Sequence, residues 1–302
     1  MDSMVNKYTA ARRLRSEDAY SPDGRHDMRP EYPTIVYSRI LRGLYPDVPI
    51  VLGGIEASLR RLTHYDYWQE RFLPSILLPS QADMIVYGMG EKPTIEIARR
   101  LTTLIDDYDP SLSYDEEGEA CIGREAFRKA VLGERQLPQT VAVYGLSPCP
   151  SLQGGEAVTS ATEKNNLSSR LSAREGLGVS LLHSHEECLA DPKKQAENFR
   201  HIEEESNKIH AQTLVQQAEG KWIVVTPPYP PMTTEELDHS FDLPYTRLPH
   251  PKYNGKRIPA YDMIRHSVCL HRGCFGGCAF CTISAHQGKF IASRSKESIL
   301  KD

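Results

Sequence analysis

The stretch Val48-Pro49-Ile50-Val51-Leu52-Gly53-Gly54 decides the fold, because it is a continuous apolar run that ends in two glycines. Such a run predicts a buried parallel strand covered on both faces. The glycines let the chain turn sharply at the carboxyl end of the strand, where open α/β sheets place their ligands. Residues 82–91 repeat the pattern with a second strand that ends at Gly88 and Gly90. The sequence therefore predicts an α/β fold with a Rossmann-like, doubly wound sheet.

Helices are predicted between and around these two strands, over residues 34–41, over residues 55–62 and from Pro93 to about residue 104. Gly43 is a plausible end for the first helix, and Pro93 fits the first turn of the third. The first 30 residues are polar and contribute no strand. We therefore assign residues 1–104 to a Rossmann-like region. Gly88-x-Gly90 lacks the third glycine of a dinucleotide fingerprint, so it identifies no nucleotide.

Residues 105–245 are predicted to be an insertion and linker with one long helix. Residues 147–155 are turn-rich and residues 159–172 are polar, which is typical of a linker. The long helix begins at Pro192 with Asp191 as its N-cap, and Gly220 is placed just past its end. Its apolar stripe is predicted to be Ala196, Phe199, Ile202 and Ile209.

Two polar runs in this region could carry chemistry. Glu203-Glu204-Glu205 is interpreted as a solvated face of the helix, because acidic runs usually are. His183-Ser184-His185-Glu186-Glu187-Cys188 has the composition of a metal site, but no known ligand spacing matches it.

The aromatic patch at His64-Tyr65-Asp66-Tyr67-Trp68 indicates either packing that anchors a loop or the wall of a cofactor or substrate site.

Composition limits the class of protein. The chain has 302 residues, enough for about two domains, with 39% hydrophobic and 25% charged residues, which is typical of a globular protein. A net charge of -4 gives no basic field for a nucleic acid, and no apolar run has the length of a membrane span. Seven cysteines without a signal peptide predict reduced thiols and a cytoplasmic location.

The motif with the most specific chemistry is Cys274-Phe275-Gly276-Gly277-Cys278-Ala279-Phe280-Cys281, which spaces three cysteines as C-x3-C-x2-C. Clustered thiolates are soft ligands that suit an iron–sulfur cluster or zinc. Three ligands are one fewer than either site usually takes, so a cluster held here would keep one iron open.

Alternatives remain open at this motif. His271, His286 or Cys269 could complete a four-ligand zinc site, although Cys269 lies in a run that resembles a strand facing a core. We predict that residues 264–270 form the strand that presents the cysteine loop, and that Ser295 caps a helix after it. Residues 246–302 are assigned to a third region on this basis.

Several runs, in this order, resemble the YgiQ-type radical S-adenosylmethionine (SAM) proteins over nearly the whole chain. They are Asp2 to Asn6, Leu52 to Arg61, His64 to Trp68, Phe241 to Tyr245 and Arg272 to Cys278.

The resemblance implies a cobalamin-binding-like partial domain followed by the start of a TIM-like (β/α)6 radical SAM barrel. It implies that Cys274, Cys278 and Cys281 bind a 4Fe-4S cluster and that SAM occupies the open iron, with Phe280 near the adenine. The implied reaction is reductive cleavage of SAM to a 5'-deoxyadenosyl radical that acts on an unknown substrate. An electron donor such as flavodoxin or ferredoxin would supply the electron, and neither nucleic acid nor membrane is an expected partner.

The sequence also departs from this family. A full barrel needs on the order of 200 more residues, so we expect the chain to be a fragment. No cobalamin histidine motif is visible, so cobalamin is unsupported, and no catalytic residue is identified. The alternative functions are a non-catalytic iron–sulfur or zinc protein and an inert fragment of the enzyme.

Overall fold

The computed structural model describes residues 3–110, 112–133, 137–144 and 178–302. The chain divides into two compact units. Tyr37–Pro230 forms one, which we call the sheet unit. Met1–Val36 and Pro231–Asp302 form the other, which we call the cysteine-loop unit. The predicted linker stretches at 147–155 and 159–172 lie outside the described residues.

The described residues of the sheet unit form ten strands and most of helix α2. The strands are β1 (Val51–Leu52), β2 (His64–Asp66), β3 (Arg71–Leu73), β4 (Met84–Val86), β5 (Ser113–Tyr114), β6 (Ala120–Cys121), β7 (Thr140–Tyr144), β8 (Val179–Leu181), β9 (Thr213–Ala218) and β10 (Lys221–Val225). The helices are α2 (Pro33–Leu44), α3 (Gly54–Leu59), α4 (Leu77–Ser80), α5 (Glu91–Asp106), α6 (Arg124–Val131), α7 (His185–Ala190) and α8 (Pro192–Ser206).

Six of these strands form a mixed sheet in the order β1-β4-β7-β10-β9-β8. The pairs β1–β4 and β8–β9 are parallel, and the three central pairs are antiparallel. The predicted α/β class and the parallel pairing of the first two strands are confirmed. The described sheet is not parallel throughout, because tight connections such as the one between β9 and β10 can only join antiparallel strands.

The turn between β9 and β10 corrects the predicted end of the long helix. Helix α8 ends at Ser206, and Ala218 pairs directly with Lys221 in a hairpin. Glu219 and Gly220 both have positive φ, 51° and 70°, as a two-residue type I′ hairpin turn requires. Gly220 therefore reverses a pair of strands and does not terminate a helix.

The core lies around the central strands. Helix α6 packs Phe127 and Val131 against Met84 and Ala142 of the sheet. The prediction that β1 is covered on both faces is wrong, since Val51 is 41% exposed. Strand β1 lies at the edge of the described sheet and pairs there with β4 alone, so it is less enclosed than a central strand.

Helix α8 begins as predicted, because the Asp191 side chain accepts a hydrogen bond from the Lys193 N–H at 3.0 Å and Pro192 opens the helix. Its predicted apolar stripe is wrong. Phe199 is 61% exposed, whereas Asn198 is buried and exchanges hydrogen bonds with the backbone of His183 at 2.8 and 2.9 Å. A polar contact therefore fixes the inner face of this helix.

A buried ion network ties two helices to the start of β4. Asp83 accepts hydrogen bonds from Arg42 at 2.6 Å, from Arg124 at 2.8 Å and from the Ile50 N–H at 2.9 Å. Its side chain is fully buried. The carboxylate thus holds α2, α6 and the approach to β1 together, and its charge is compensated by two guanidinium groups.

The run from His183 to Cys188 starts helix α7. Ser184 accepts from the Glu187 N–H at 3.1 Å, and the Glu187 carboxylate accepts from the Ser184 N–H at 2.8 Å, which is a capping box. Burial raises the pKa of the Cys188 thiol to about 11, which makes it an inert thiol at neutral pH. The metal-like composition of this run is therefore explained by helix capping and core packing.

The burial of His185 leads us to expect that the stability of the protein depends on pH. It is buried with Nδ1 at 3.2 Å from the Thr63 hydroxyl, and burial lowers the pKa of its imidazole from 6.5 despite the opposing effect of Glu186 and Glu219. The unfolded chain then binds more protons than the folded one, so we expect the free energy of unfolding to fall as the pH drops below 6.5.

Urea titrations of the full chain between pH 5 and 8 test this expectation. His185→Gln should flatten the pH dependence in that window, whereas the exposed His210→Gln should leave it unchanged. An unchanged slope in His185→Gln would assign the pH dependence to another group.

The cysteine-loop unit is built from short elements. These are α1 (Ser3–Lys7), a 3-10 turn (Pro22–Gly24), α9 (Thr234–Phe241), a second 3-10 turn (Pro251–Tyr253), α10 (Pro259–Ile264), β11 (His271–Arg272), α11 (Ile283–Gln287), β12 (Ala292–Ser293) and α12 (Lys296–Lys301).

The N-terminal segment of this unit is hydrogen bonded to residues more than 200 positions away. The Asp23 N–H donates to the Arg257 carbonyl at 2.6 Å, and the Arg257 N–H donates to Asp23 Oδ1 at 3.2 Å. The Ala260 N–H donates to the Ala19 carbonyl at 2.8 Å. The polar segment at the N-terminus therefore belongs to the unit that carries the cysteine loop.

The predicted strand over residues 264–270 is wrong. Pro259 opens helix α10, which continues to Ile264, and the strand before the cysteines is only β11. Val268 and Leu270 are exposed, so their alternation does not mark a buried face. Ser295 caps α12 as predicted, accepting from the Ser298 N–H at 3.1 Å. Within the described ranges, no helix is both long and apolar enough to cross a membrane.

Candidate metal centre

A two-stranded hairpin presents the three cysteines. Strand β11 pairs antiparallel with β12, with Arg272 opposite Ala292. The residues between the strands, 273–291, form what we call the cysteine loop. It contains Cys274, Cys278, Cys281 and the short helix α11. All three thiols are unpaired, Cys278 is exposed, and the other two are half-buried. The loop is thus closed at its base and accessible along its length.

Glycine is required at the entrance of the cysteine loop. Gly273 has φ of +86°, and a Cβ there would lie 2.0 Å from the Phe290 carbonyl oxygen. Its N–H donates to Gln287 Oε1 at 3.2 Å, and the next N–H, of Cys274, donates to the Gly288 carbonyl at 3.0 Å. The two ends of the loop approach so closely that no side chain fits between them.

Gly273→Ala should therefore open the base of the loop. A positive φ costs an alanine about 1–2 kcal/mol, and overpacking against the Phe290 backbone adds about 1–3 kcal/mol. Gly255→Ala is a matched control, because Gly255 has φ of +77° but open space around its Cβ position. Urea unfolding should show a larger loss for Gly273→Ala. Equal losses for the two variants would mean that the close approach does not constrain the loop.

Two of the three sulfurs border one small space. A Cβ at Gly276 would lie 3.4 Å from Cys274 Sγ and 3.7 Å from Cys278 Sγ. The Gly276 N–H also points at Cys274 Sγ, at 3.4 Å. The Cys281 N–H donates to the Cys278 carbonyl at 3.0 Å, which places the third cysteine one tight turn further on.

These residues fit an iron–sulfur cluster by ligand chemistry and by placement on the loop. Gly276 leaves the space between two sulfurs clear, and its N–H is the kind of donor that tunes cluster thiolates. Among the described residues, no three His, Cys, Asp or Glu side chains are already gathered as a metal site. Binding would therefore bring the third thiolate toward the other two.

The proposed fourth ligands are placed differently. Cys269 is half-buried, and its thiol donates to the His271 carbonyl at 3.3 Å while Arg272 Nη1 lies 4.0 Å from its sulfur. The thiol is thus engaged with the base of the hairpin. A four-ligand zinc site with Cys269, His271 or His286 is not preassembled in the described part of the chain.

Two aromatic side chains of the loop are almost fully exposed. Phe280 is 90% exposed and Phe275 is 84% exposed. Large apolar side chains in this state are available to pack on a ligand or partner. Sequence reasoning singled out Phe280 and overlooked Phe275, whose position directly after the first cysteine could have drawn attention to it.

The glycine turns of the sheet unit are linked to each other. The Gly88 N–H donates to Ser58 Oγ at 3.0 Å, and Ser58 Oγ donates to the Gly54 carbonyl at 2.9 Å. Ser58 is fully buried. A serine hydroxyl therefore bridges the two glycine turns at the carboxyl ends of β1 and β4.

The aromatic patch at 64–68 lies in the β2–β3 hairpin. Buried Asp66 accepts from the N–H groups of Trp68 and Gln69 at 3.0 and 2.8 Å, which fixes the turn. Tyr65 packs edge-on against Phe72, with ring centroids 5.7 Å apart. These contacts support the loop-anchoring interpretation of the patch.

Comparison with known proteins identifies the family. The family model described as Radical SAM N-terminal matches residues 1–267, which end before Cys274. A UPF0313 protein of Bacteroides thetaiotaomicron is 59% identical to this chain, and the match covers all of this chain and 43% of that protein. The UPF0313 protein YgiQ of Escherichia coli K12 is 39% identical, and the match covers all of this chain and 42% of YgiQ.

A UPF0313 protein of Porphyromonas gingivalis is 55% identical over all of this chain and 40% of that protein. The chain spans about two-fifths of the length of these curated relatives. No solved structure matches it. The match to the family model and the relatives together confirm the resemblance, and the chain belongs to the Radical SAM N-terminal family, with YgiQ-type proteins as its relatives.

Proposed function

We propose that Cys274, Cys278 and Cys281 hold a 4Fe-4S cluster of a radical SAM enzyme. The observation that carries the proposal is their placement on one hairpin-closed loop, with Cys274 Sγ and Cys278 Sγ bordering the same clear space at Gly276. The match to the family model supports the proposal independently, because it covers residues 1–267 and ends before the cysteines.

The loop residues have distinct roles in this proposal. The three thiolates would hold the cluster through three of its irons, and the remaining iron would be available to SAM. The exposed ring of Phe280 is available to pack on the adenine. When bound, the cluster would supply the electron that cleaves SAM to methionine and a 5'-deoxyadenosyl radical, which abstracts hydrogen from a substrate. The Gly276 N–H donates to the sulfur of Cys274 at 3.4 Å and would help to orient that sulfur as a ligand.

The complete enzyme is proposed to be larger than this chain. We infer that residues 246–302 begin a TIM-like (β/α)6 barrel and that residues 1–104, of which those from Tyr37 onward lie in the sheet unit, include a Rossmann-like, cobalamin-binding-type region. Large apolar side chains of the cysteine-loop unit are exposed, which supports the proposal that further parts of the enzyme pack against this unit. They include Met263, Ile264, Phe275 and Leu300. The unpaired thiols fit a reducing compartment such as the cytoplasm, with flavodoxin or ferredoxin as the electron donor.

Anaerobic reconstitution with iron and sulfide, followed by EPR of the reduced chain with and without SAM, tests the proposal. The expected result is a 4Fe-4S signal that shifts when SAM is added. A cluster signal that ignores SAM would mean either that SAM binding needs the rest of the barrel or that a fourth protein ligand already occupies the open iron, as in a non-catalytic iron–sulfur protein. Tightly bound zinc in place of a cluster would overturn the assignment and favour a structural metal site.

A further inference from the structure

One aromatic ring contacts both strands that close the cysteine loop. Phe241 is the last residue of α9, and its ring centroid lies 4.8 Å from the Arg272 guanidinium carbon and 4.4 Å from that of Arg294. Arg272 ends β11, and Arg294 directly follows β12. The same ring therefore touches the chain just before the cysteine loop and just after it.

Arg294 is held rigidly in this arrangement. Its side chain is fully buried and donates to Asp302 Oδ2 at 2.7 Å, to the Ser298 carbonyl at 2.7 Å and to the Cys269 carbonyl at 3.0 Å. These bonds join β12 to α12 and to the chain before β11. Arg294 therefore provides a fixed cationic surface for one contact with the ring.

Arg272 is held much less by hydrogen bonds. Its Nε is buried and has no hydrogen-bond partner among the described residues. Its Nη1 lies 4.0 Å from Cys269 Sγ, a weak contact. The face of an aromatic ring attracts a guanidinium group, and the attraction grows when the group is desolvated. The Phe241 ring is thus a principal contact of Arg272, whose backbone leads directly into Gly273 and Cys274.

The ring is itself anchored from two sides. Asp238, on the same helix, accepts from the Ser295 N–H at 2.9 Å. Asp242 accepts from Lys301 at 3.0 Å and from Ser298 at 2.9 Å, and these hydrogen bonds lower the pKa of its carboxyl. Helix α9 is therefore fastened to the chain that follows β12, with Phe241 between the two carboxylates.

We propose that Phe241 is a positioning residue for the iron–sulfur cluster, because its ring clamps Arg272 and Arg294 and so fixes the two ends of the cysteine loop. This inference rests on the proposed function for its consequence, but the clamp itself exists in the metal-free chain. Fixed ends keep Cys274 and Cys278 beside Gly276, so less ordering is needed when the cluster forms.

Amide hydrogen exchange in the metal-free chain tests the clamp directly. Phe241→Leu keeps an apolar side chain but removes the ring, and we expect roughly tenfold faster exchange at the Cys274 N–H, which is bonded to the Gly288 carbonyl. Phe241→Trp restores an aromatic face and should restore protection. Phe199→Leu makes the same change at an exposed site in the sheet unit and should leave this amide unchanged.

Cluster assembly then tests the consequence. After reconstitution, Phe241→Leu should take up several-fold less iron and show a shifted reduction midpoint, while Phe241→Trp behaves as wild type. If Phe241→Leu fails to fold, Arg272→Met tests the clamp in its place. This substitution keeps an apolar stem and removes the charge, so exchange of the Cys274 N–H should again be faster than in the wild type.

The outcomes separate the two proposals. Equal protection in Phe241→Leu and Phe241→Trp would overturn the clamp, because packing alone would then suffice. If the wild-type chain takes up no cluster, but the variants still differ from it in amide exchange as expected, the proposed function is overturned and the clamp is retained.

Discussion

Cys278→Ala is expected to abolish cluster assembly. Wild-type chain reconstituted anaerobically should bind about four irons per chain, and the variant should fall toward zero, because the cluster would lose one of the three thiolates proposed to hold it. Iron and sulfide analysis with the visible absorption spectrum measures the loss.

The matched control is Cys121→Ala, which removes an exposed thiol from the sheet unit. It should retain the wild-type iron content. Because Cys278 is exposed, its substitution should leave the free energy of unfolding of the metal-free chain nearly unchanged. Unchanged iron content in Cys278→Ala would contradict the assignment of this residue as a ligand.

Asp83→Ala is expected to cost the sheet unit about 3–5 kcal/mol of unfolding free energy, the usual result of breaking a buried ion pair from one side. The substitution leaves Arg42, whose side chain is nearly buried, without its 2.6 Å partner, and it frees the Ile50 N–H as well. Arg124 is about one-third exposed, so water can solvate part of its guanidinium. Urea unfolding followed by circular dichroism gives the value.

Asp109→Ala provides the comparison for this prediction. Asp109 pairs with Lys129 at 2.8 Å, but the lysine side chain is largely exposed, so the loss should be about 0–1 kcal/mol. Asp83→Asn should lie between the two, since it keeps the shape and loses the charge. Losses of equal size at Asp83 and Asp109 would show that the buried network does not hold α2 and α6 on the sheet.

Local sequence signals predicted the first part of the fold well. The apolar runs that end in glycines form β1 and β4, and they pair in parallel. Asp191 with Pro192, and Ser295, start helices as their capping chemistry indicates. Each of these signals involves residues only a few positions apart, which is the range over which a single sequence is informative.

Features that depend on partners far away in the sequence could not be predicted. Gln216 is polar but buried in β9, because its side chain accepts from the Thr63 N–H at 2.8 Å and donates to the His183 carbonyl at 2.9 Å. Without those partners, the segment before Gly220 resembled the end of a helix. The predicted region boundaries at 104 and 245 stay predictions.

The candidate site divides in the same way. The spacing of the three cysteines is local, and it identified the loop directly from the sequence. The contact of Phe241 with Arg272 and Arg294 joins residues about 30 to 50 positions apart, and neither strand was long enough to be predicted. Sequence reasoning therefore identified the proposed ligands but missed the residues that hold their loop.

The most direct test of the central claim is Mössbauer spectroscopy of the chain reconstituted with iron-57, recorded with and without SAM. A cluster held by Cys274, Cys278 and Cys281 alone predicts that about a quarter of the iron, the open site, changes its spectrum when SAM is added. Four irons that all remain unchanged while SAM is bound would contradict an open site, and a chain that binds no cluster would contradict the assignment of the three cysteines.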